Sequence, residues 1–135
     1  MIEFTVPGQP FSKQRPRAMI AGKGDTAHIR EYTPIETVNY ETLVKLAFMA
    51  KYPGHTPWDY DTPVRATIKC FFIPPKGKRA RGHCCTKQDA DNCAKSVLDA
   101  LNQIAYADDR QVADLHVTKE WSEQPRVFIS MEELI

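Results

Sequence analysis

The sequence predicts a small α+β domain with a mixed or antiparallel sheet of four to six strands and two helices on one side of it. Two observations predict this: several segments alternate apolar and polar residues, and two longer segments repeat apolar residues at helical spacing. The length of 135 residues fits a single domain over residues 1–135. The composition, 42% hydrophobic and 26% charged, is typical of a chain that folds around a core.

Strands are predicted where apolar side chains alternate with polar ones. In chain order these segments are residues 2–6, a hairpin formed by 18–20 and 28–32, and the longer segments 64–72, 112–121 and 126–131. Turn signals separate them: Gly22 to Asp25 in the hairpin, Pro74-Pro75 after the fourth segment, and Gln124-Pro125 before the last.

The first helix is predicted from a capping box and an apolar stripe. Thr33 is the expected N-cap, Pro34 takes the first helical position and Glu36 the third. The helix is expected to end near Lys51, before Pro53-Gly54. Its expected buried stripe is Tyr40, Leu43, Val44 and Ala47.

The second helix is predicted to begin near Asp91 and to run for about 14 residues. Its expected buried stripe is Ala94, Val97, Leu98, Leu101 and Ile104.

The net charge of +1 conceals a segregation of basic residues. Residues 62–88 contain no Asp or Glu, and their seven basic residues are Arg65, Lys69, Lys76, Lys78, Arg79, Arg81 and Lys87. A second cluster near the N-terminus comprises Lys13, Arg15 and Arg17. Such clusters in a nearly neutral chain indicate a surface that binds a polyanion. The alternative is that each is an ordinary solvated loop.

No feature of the sequence indicates a membrane or secreted protein. No apolar run approaches the roughly 20 residues that a membrane helix needs, and the N-terminus lacks the basic and apolar regions of a signal peptide. We therefore expect a cytoplasmic protein whose cysteines are reduced thiols. A zinc site formed by His83, Cys84, Cys85 and Cys93 is the less favoured alternative, because adjacent cysteines lack the spacing of zinc ligands.

Two pairs of aspartates flank the second predicted helix. Asp89 and Asp91 precede it, and in an extended segment their carboxylates point to one side. Asp108 and Asp109 follow the same helix. Mg²⁺ prefers hard oxygen ligands from a few carboxylates and leaves positions for water and phosphate oxygens. Aspartates next to basic segments therefore predict a Mg²⁺ site that acts on a phosphate.

The predicted helix separates these two pairs, because about 14 residues span about 21 Å at 1.5 Å per residue. Two arrangements remain open. Either the chain after Tyr106 doubles back and carries a carboxylate alongside the helix, or Asp108 and Asp109 reach the first pair in a second subunit.

Lys95 lies four residues after Asp91 and shares its helix face. A lysine there is suited to stabilise negative charge that develops on a phosphate in the transition state. The alternative is an ordinary ion pair with Asp91, worth a few tenths of a kcal/mol. Asp91 has its own alternative role as the helix N-cap, and Asp99 is expected to be a solvated surface residue.

One order of residues in the acidic segment is too long to be a plausible coincidence. It reads Asp89-x-Asp91-Asn92-x-x-Lys95-x-x-x-Asp99-Ala100-Leu101, followed by Asp108-Asp109-x-Gln111-Val112. This order resembles the signature of the RusA family of Holliday junction resolvases. The N-terminal segments Gly8-x-Pro10-x-x-Lys13-x-Arg15-Pro16-Arg17 and Tyr32-Thr33-Pro34 are similar to the form of that family common in phages and prophages.

The resemblance implies a homodimer that depends on Mg²⁺ or Mn²⁺ and cuts four-way DNA junctions by paired symmetric nicks in recombination and repair. It implies metal-binding and catalytic roles for Asp89, Asp91 and Asp109, a catalytic role for Lys95, and an additional carboxylate from Asp108. The family's basic segment corresponds in place to residues 76–87, although the loop here is longer. The expected DNA-binding residues are Lys13, Arg15, Arg17, Lys76, Lys78, Arg79, Arg81 and Lys87.

Three other functions remain open. The first is a DNA-binding module that has lost catalysis. The second is a nuclease that selects flaps or forks rather than four-way junctions. The least favoured is a metal-dependent transferase that holds a nucleotide diphosphate with Asp89 and Asp91.

Overall fold

The computed structural model describes residues 1–14 and 17–135. Within these residues the chain forms six strands and two α-helices, which confirms the α+β prediction. The elements are β1 (Ile2–Pro7), β2 (Arg17–Ala21), β3 (His28–Tyr32), α1 (Ile35–Lys51), β4 (Val64–Phe72), α2 (Ala90–Ala100), β5 (Val112–Trp121) and β6 (Arg126–Glu133). Short 3₁₀ turns lie at Gly24–Thr26 and Asp109–Gln111.

The main sheet has four strands in the order β1-β6-β4-β5. The β1–β6 and β6–β4 pairs are antiparallel, whereas β4 and β5 are parallel and are connected through α2. The sheet is therefore mixed, as one of the two predicted alternatives. β2 and β3 form a separate antiparallel hairpin, as the turn signal between them predicts.

One face of the sheet forms the core because apolar side chains alternate along each central strand. In β4 the residues Val64, Ala66, Ile68, Cys70 and Phe72 are all buried. Both helices pack on this face: α1 contacts β1, α2 contacts β4 and β5, and the helices contact each other. The prediction of two helices on one side of the sheet is thereby confirmed. Within the described chain, neither helix has the length and apolar character to cross a membrane.

The start of α1 differs from the prediction. The helix begins at Ile35, and Pro34 occupies the N-cap position with an extended ψ of 144°. No side chain accepts a hydrogen bond at this cap, so the predicted capping box from Thr33 is wrong. The buried stripe is Thr37, Tyr40, Val44 and Phe48, and it leaves Leu43 exposed.

Helix α2 begins at Ala90 with Asp89 at the N-cap position, and it ends at Ala100. It has 11 residues, fewer than predicted, because the chain leaves the helix at Leu101 and makes a series of tight turns. Leu101 and Ala105 stay buried in these turns. Gln103 adopts a positive φ of 65° there, a backbone conformation that favours glycine.

Candidate active site

Helix α2 carries the two aspartate pairs at its opposite ends. Because α2 connects two parallel strands, it runs antiparallel to both β4 and β5. Asp89 therefore lies where β4 and β5 end, and Asp109 lies where β5 begins. The 11 residues of α2 span about 16 Å at 1.5 Å per residue. The chain after α2 does not carry the second pair back to the first.

At the N-terminal end of α2 both carboxylates face solvent. Asp89 and Asp91 are exposed, and Asn92 Nδ2 donates a hydrogen bond to Asp89 Oδ2 at 3.3 Å. The segment that precedes Asp89 is fixed by Lys119, whose Nζ donates to the carbonyl oxygens of Gln88 at 2.8 Å and of Thr86 at 3.2 Å. Lys119 is thus a positioning residue for the first aspartate pair.

Lys119 was not singled out from the sequence, although a signal was present. It lies in β5 at an alternating position that also includes Val117 and Trp121, and a lysine is unexpected on the apolar face of a strand. Its ammonium group needs partners there, and the two carbonyl groups before Asp89 supply them.

At the C-terminal end of α2 a short turn holds the second pair. Asp108 Oδ1 accepts a hydrogen bond from the backbone N–H of Arg110 at 3.0 Å. The N–H of Asp109 donates to Asn102 Oδ1 at 2.9 Å, and that of Asp108 donates to Gln111 Oε1 at 2.9 Å. The orientation of both aspartates is therefore set by hydrogen bonds.

Gln111 explains its own place in the acidic motif. Its side chain is buried, and its Nε2 lies within hydrogen-bond distance of the carbonyl oxygens of Trp58 (3.3 Å), Asp59 and Thr62 (3.0 Å). Its amide therefore joins the aspartate turn to the loop that precedes β4.

The two neighbouring carboxylates of this turn titrate in opposite directions. The N–H of Arg110 holds the pKa of Asp108 below its usual range. Burial, the hydrogen bond with Asp108 and the charge of Asp99 raise the pKa of Asp109. A carboxylate whose charged form is disfavoured in this way is stabilised by a cation placed beside it.

Lys95 and Lys13 converge on Asp99. Lys95 Nζ lies 3.9 Å from Asp99 Oδ1, so its ion-pair partner is Asp99 and not Asp91. Lys13 Nζ contacts Asp99 Oδ2 and lies 3.3 Å from Glu41 Oε1. The expectation of a solvated Asp99 is wrong, because its side chain is only 19% exposed. Sequence spacing gave no signal for this network, since its members lie on three separate segments.

The N-terminal basic cluster takes a different role from the one predicted for Lys13. Lys13 N donates to the carbonyl oxygen of Asn92 at 3.1 Å, and the hydroxyl of Ser96 lies 2.9 Å from the carbonyl oxygen of Phe11. Burial opposes the charge of Lys13, but Asp99 and Glu41 outweigh it and raise its pKa. Lys13 therefore ties the N-terminal segment to α2. Arg15 lies outside the described residues, and Arg17 is the first residue of β2.

The long basic loop leads directly into the first aspartate pair. All five of its predicted DNA-binding residues are exposed, and none of them forms an ion pair with an acidic residue in the part of the chain that the structure describes; they are Lys76, Lys78, Arg79, Arg81 and Lys87. The loop is fixed against β5, because Cys84 N donates to the carbonyl oxygen of Lys119 at 3.1 Å and Trp121 N to that of Gly82 at 2.9 Å. Positive charge free to bind phosphate thus lies beside Asp89 and Asp91.

The carboxylate oxygens fit Mg²⁺ or Mn²⁺ in chemistry but not in their placement within one chain. Among the described residues of one chain, no group of three or more His, Cys, Asp or Glu side chains is close enough to hold a metal ion. Asp89 and Asp91 therefore supply a partial donor set, and Asp108 and Asp109 lie beyond its reach. The four cysteines are free thiols.

The family model of Endodeoxyribonuclease RusA matches residues 7–132, a span that includes the basic loop and both aspartate pairs. The chain belongs to the RusA endodeoxyribonuclease family. The resemblance seen in the acidic motif is thereby confirmed. Membership in the RusA family implies an endodeoxyribonuclease of the class that resolves Holliday junctions, with branched DNA as its substrate.

A relative in this family comes from a bacterium. The chain is 35% identical over 145 aligned residues to "Uncharacterized protein YqaN" of Bacillus subtilis (strain 168), and the alignment covers 98% of this chain and 96% of the relative. The similarity therefore extends over nearly the whole of both RusA-like chains.

Proposed function

We propose that this protein is a cytoplasmic, homodimeric, Mg²⁺-dependent endonuclease that resolves four-way DNA junctions by paired symmetric nicks in recombination and repair. Mn²⁺ substitutes for Mg²⁺ in this proposal. The observation that carries it is the exposed pair Asp89 and Asp91 at the end of a basic loop whose charges have no acidic partner, within the family's motif. Phosphate-binding and metal-binding groups thereby occur side by side.

The basic loop is proposed to bind the DNA backbone. Contacts to phosphates fix the position of a protein on DNA and carry no base information, which suits a substrate recognised by its branched shape. Binding through Lys and Arg releases counterions, so affinity should fall steeply as salt rises.

The chain's own residues are proposed to divide the catalytic work. Asp89 and Asp91, with Asp109 and the additional carboxylate Asp108, are the proposed metal ligands. A divalent cation, when bound, supplies positive charge at the scissile phosphate and lowers the pKa of a bound water. Lys95 is 60% exposed, so its ammonium group is free to move from Asp99 to a phosphate oxygen and to stabilise the charge that develops there.

Cleavage of a labelled four-way junction, compared with linear duplex, fork and flap, tests this function. We expect Mg²⁺-dependent paired nicks confined to the junction, no cutting in EDTA, and a loss of at least about 100-fold in Asp91→Asn. Asp61→Asn is the matched control, because Asp61 is an exposed aspartate in the loop before β4. Tight junction binding without cutting under either metal would favour the DNA-binding module. Equal cutting of forks and flaps would leave the chemistry intact and remove the narrow substrate.

A further inference from the structure

The outer edge of β5 is partly covered and partly free. β5 is an edge strand of the sheet, and residues 82–84 of the basic loop pair with its final residues, Lys119 to Trp121. Residues 112–118 have no strand beside them on that side within the described chain. A free edge of this length is a template for pairing with another chain.

Leu115 lies at the centre of this free segment. Its register partner in β4 is Ala66, which is fully buried, so the two side chains lie on the helix-bearing face of the sheet. Leu115 is nevertheless 44% exposed, because no element of the described chain covers it on the outer side. An apolar residue in this position gains free energy when a second surface covers it.

The acidic set is also incomplete in a single chain. The first aspartate pair lies at the N-terminal end of α2 and the second pair at the C-terminal end, about 16 Å away along the axis at 1.5 Å per residue. Ligands of one Mg²⁺ ion lie at about 2.1 Å from it, so both pairs of one chain cannot bind the same ion.

We propose that two copies of the chain pair along the free edges of β5, about a two-fold axis near Leu115, so that Asp89 and Asp91 of one copy share a metal site with Asp109 of the other. This inference rests on the proposed metal-dependent nuclease function. It assigns the location of the dimer interface and makes each active site a product of both subunits.

The geometry of the sheet gives this arrangement. An antiparallel β5–β5 pair centred on Leu115 places residue 112 of one copy opposite residue 118 of the other. The level of Leu115 lies midway along α2, because β5 begins beside Asp109 and reaches Gln88 at Lys119. The two-fold axis therefore brings the N-terminal end of each α2 beside the C-terminal end of the other.

The spacing between the helices is also suitable. Strands lie about 4.8 Å apart, and α2 lies over β4 and β5, so the two α2 axes come about 10 Å apart, close to the usual distance of packed helices. Antiparallel helix dipoles attract each other. The two Lys95 side chains lie near the axis, and each already has Asp99 beside it to offset its charge.

Mixing two inactive variants tests whether the sites are shared. Asp91→Asn and Asp109→Asn are each expected to be inactive alone. In a heterodimer of the two, one shared site carries both changes and the other carries none. Random mixing puts half of the chains in heterodimers, so cutting should return to about one quarter of the wild-type rate, as single unpaired nicks. The control is a mixture of Asp89→Asn with Asp91→Asn, which should stay inactive because both changes affect the same end of α2.

An inactive Asp91→Asn and Asp109→Asn mixture, at subunit exchange demonstrated with differently tagged chains, would overturn the shared site. A wild-type protein that cuts no junction would count against the proposed function instead. The shared site then remains testable by Mn²⁺ binding measured calorimetrically without DNA: the same mixture should regain about one quarter of the wild-type sites, and no recovery would reject the inference.

Leu115→Glu tests the position of the interface. We expect this variant to be a folded monomer by circular dichroism and analytical ultracentrifugation, and to lose Mn²⁺ binding. Met49→Glu is the matched control, because Met49 is an exposed apolar residue on α1, away from β5. A Leu115→Glu protein that remains a dimer would overturn the β5 interface, as would a Met49→Glu protein that dissociates.

Discussion

Replacing Gln111 with methionine should destabilise the protein without creating a cavity, because methionine has a similar volume. The buried amide of Gln111 accepts the N–H of Asp108 and lies within reach of three carbonyl oxygens of residues 58–62. An amide group has two N–H donors, so at most two of these carbonyls are satisfied fully at one time. Each buried group left without a partner costs about 1–3 kcal/mol, and carbonyls near the surface recover part of this from water. We expect the free energy of unfolding to fall by about 2–4 kcal/mol.

Thermal unfolding in EDTA, followed by circular dichroism, measures this loss without a contribution from bound metal. For a chain of 135 residues, the expected loss corresponds to a decrease in Tm of roughly 7–14 °C. Gln124→Met is the control, since Gln124 is exposed and should change stability by less than about 0.5 kcal/mol. A Gln111→Met protein within about 1 kcal/mol of wild type would refute the role of the amide in fixing the aspartate turn.

Three further changes follow from the geometry. Lys119→Met should reduce junction cutting at least tenfold and leave junction binding nearly unchanged, because it removes the hydrogen bonds that fix the segment before Asp89; an equal loss of binding would instead indicate a DNA contact. Arg79→Ala combined with Arg81→Ala should lower the slope of log affinity against log salt by about two, and an unchanged slope would contradict phosphate contacts by this loop. Gln103→Gly should raise the free energy of unfolding by about 0.5–1 kcal/mol in urea denaturation, because it relieves a φ of 65°; a destabilised variant would show that the turn depends on the glutamine side chain.

The strands could be read from the sequence because their alternation records burial on one face directly. The predicted ranges of β3, β4 and β5 agree with the structure. The helix ends were harder, because apolar spacing reports burial and not backbone conformation. Leu101 continues the helical pattern and is buried, yet it lies in the turns beyond α2. In the same way, Pro34 takes an extended ψ that no composition rule distinguishes from a helical one.

The site was predictable where its signal was local in the chain. The acidic motif identified its aspartates and Lys95, and the absence of acidic residues over 62–88 identified the basic loop. The ion pairs of Asp99 escaped prediction because Lys13 lies 86 residues away from it in sequence. Lys13 was assigned to DNA from its basic neighbours alone, whereas the fold gives it two acidic partners.

The arrangement of the acidic pairs shows which kind of information a sequence lacks. Helix length already indicated that one chain cannot bring Asp91 and Asp109 together, and the shorter α2 keeps that conclusion. The choice between a returning chain and a second subunit depended on the order of the strands. Leu115 has the alternating pattern of a core residue, and only the position of β5 at the sheet edge makes it exposed. The exposed leucine and the divided aspartates therefore have one common explanation, which is a second copy of the chain placed against β5.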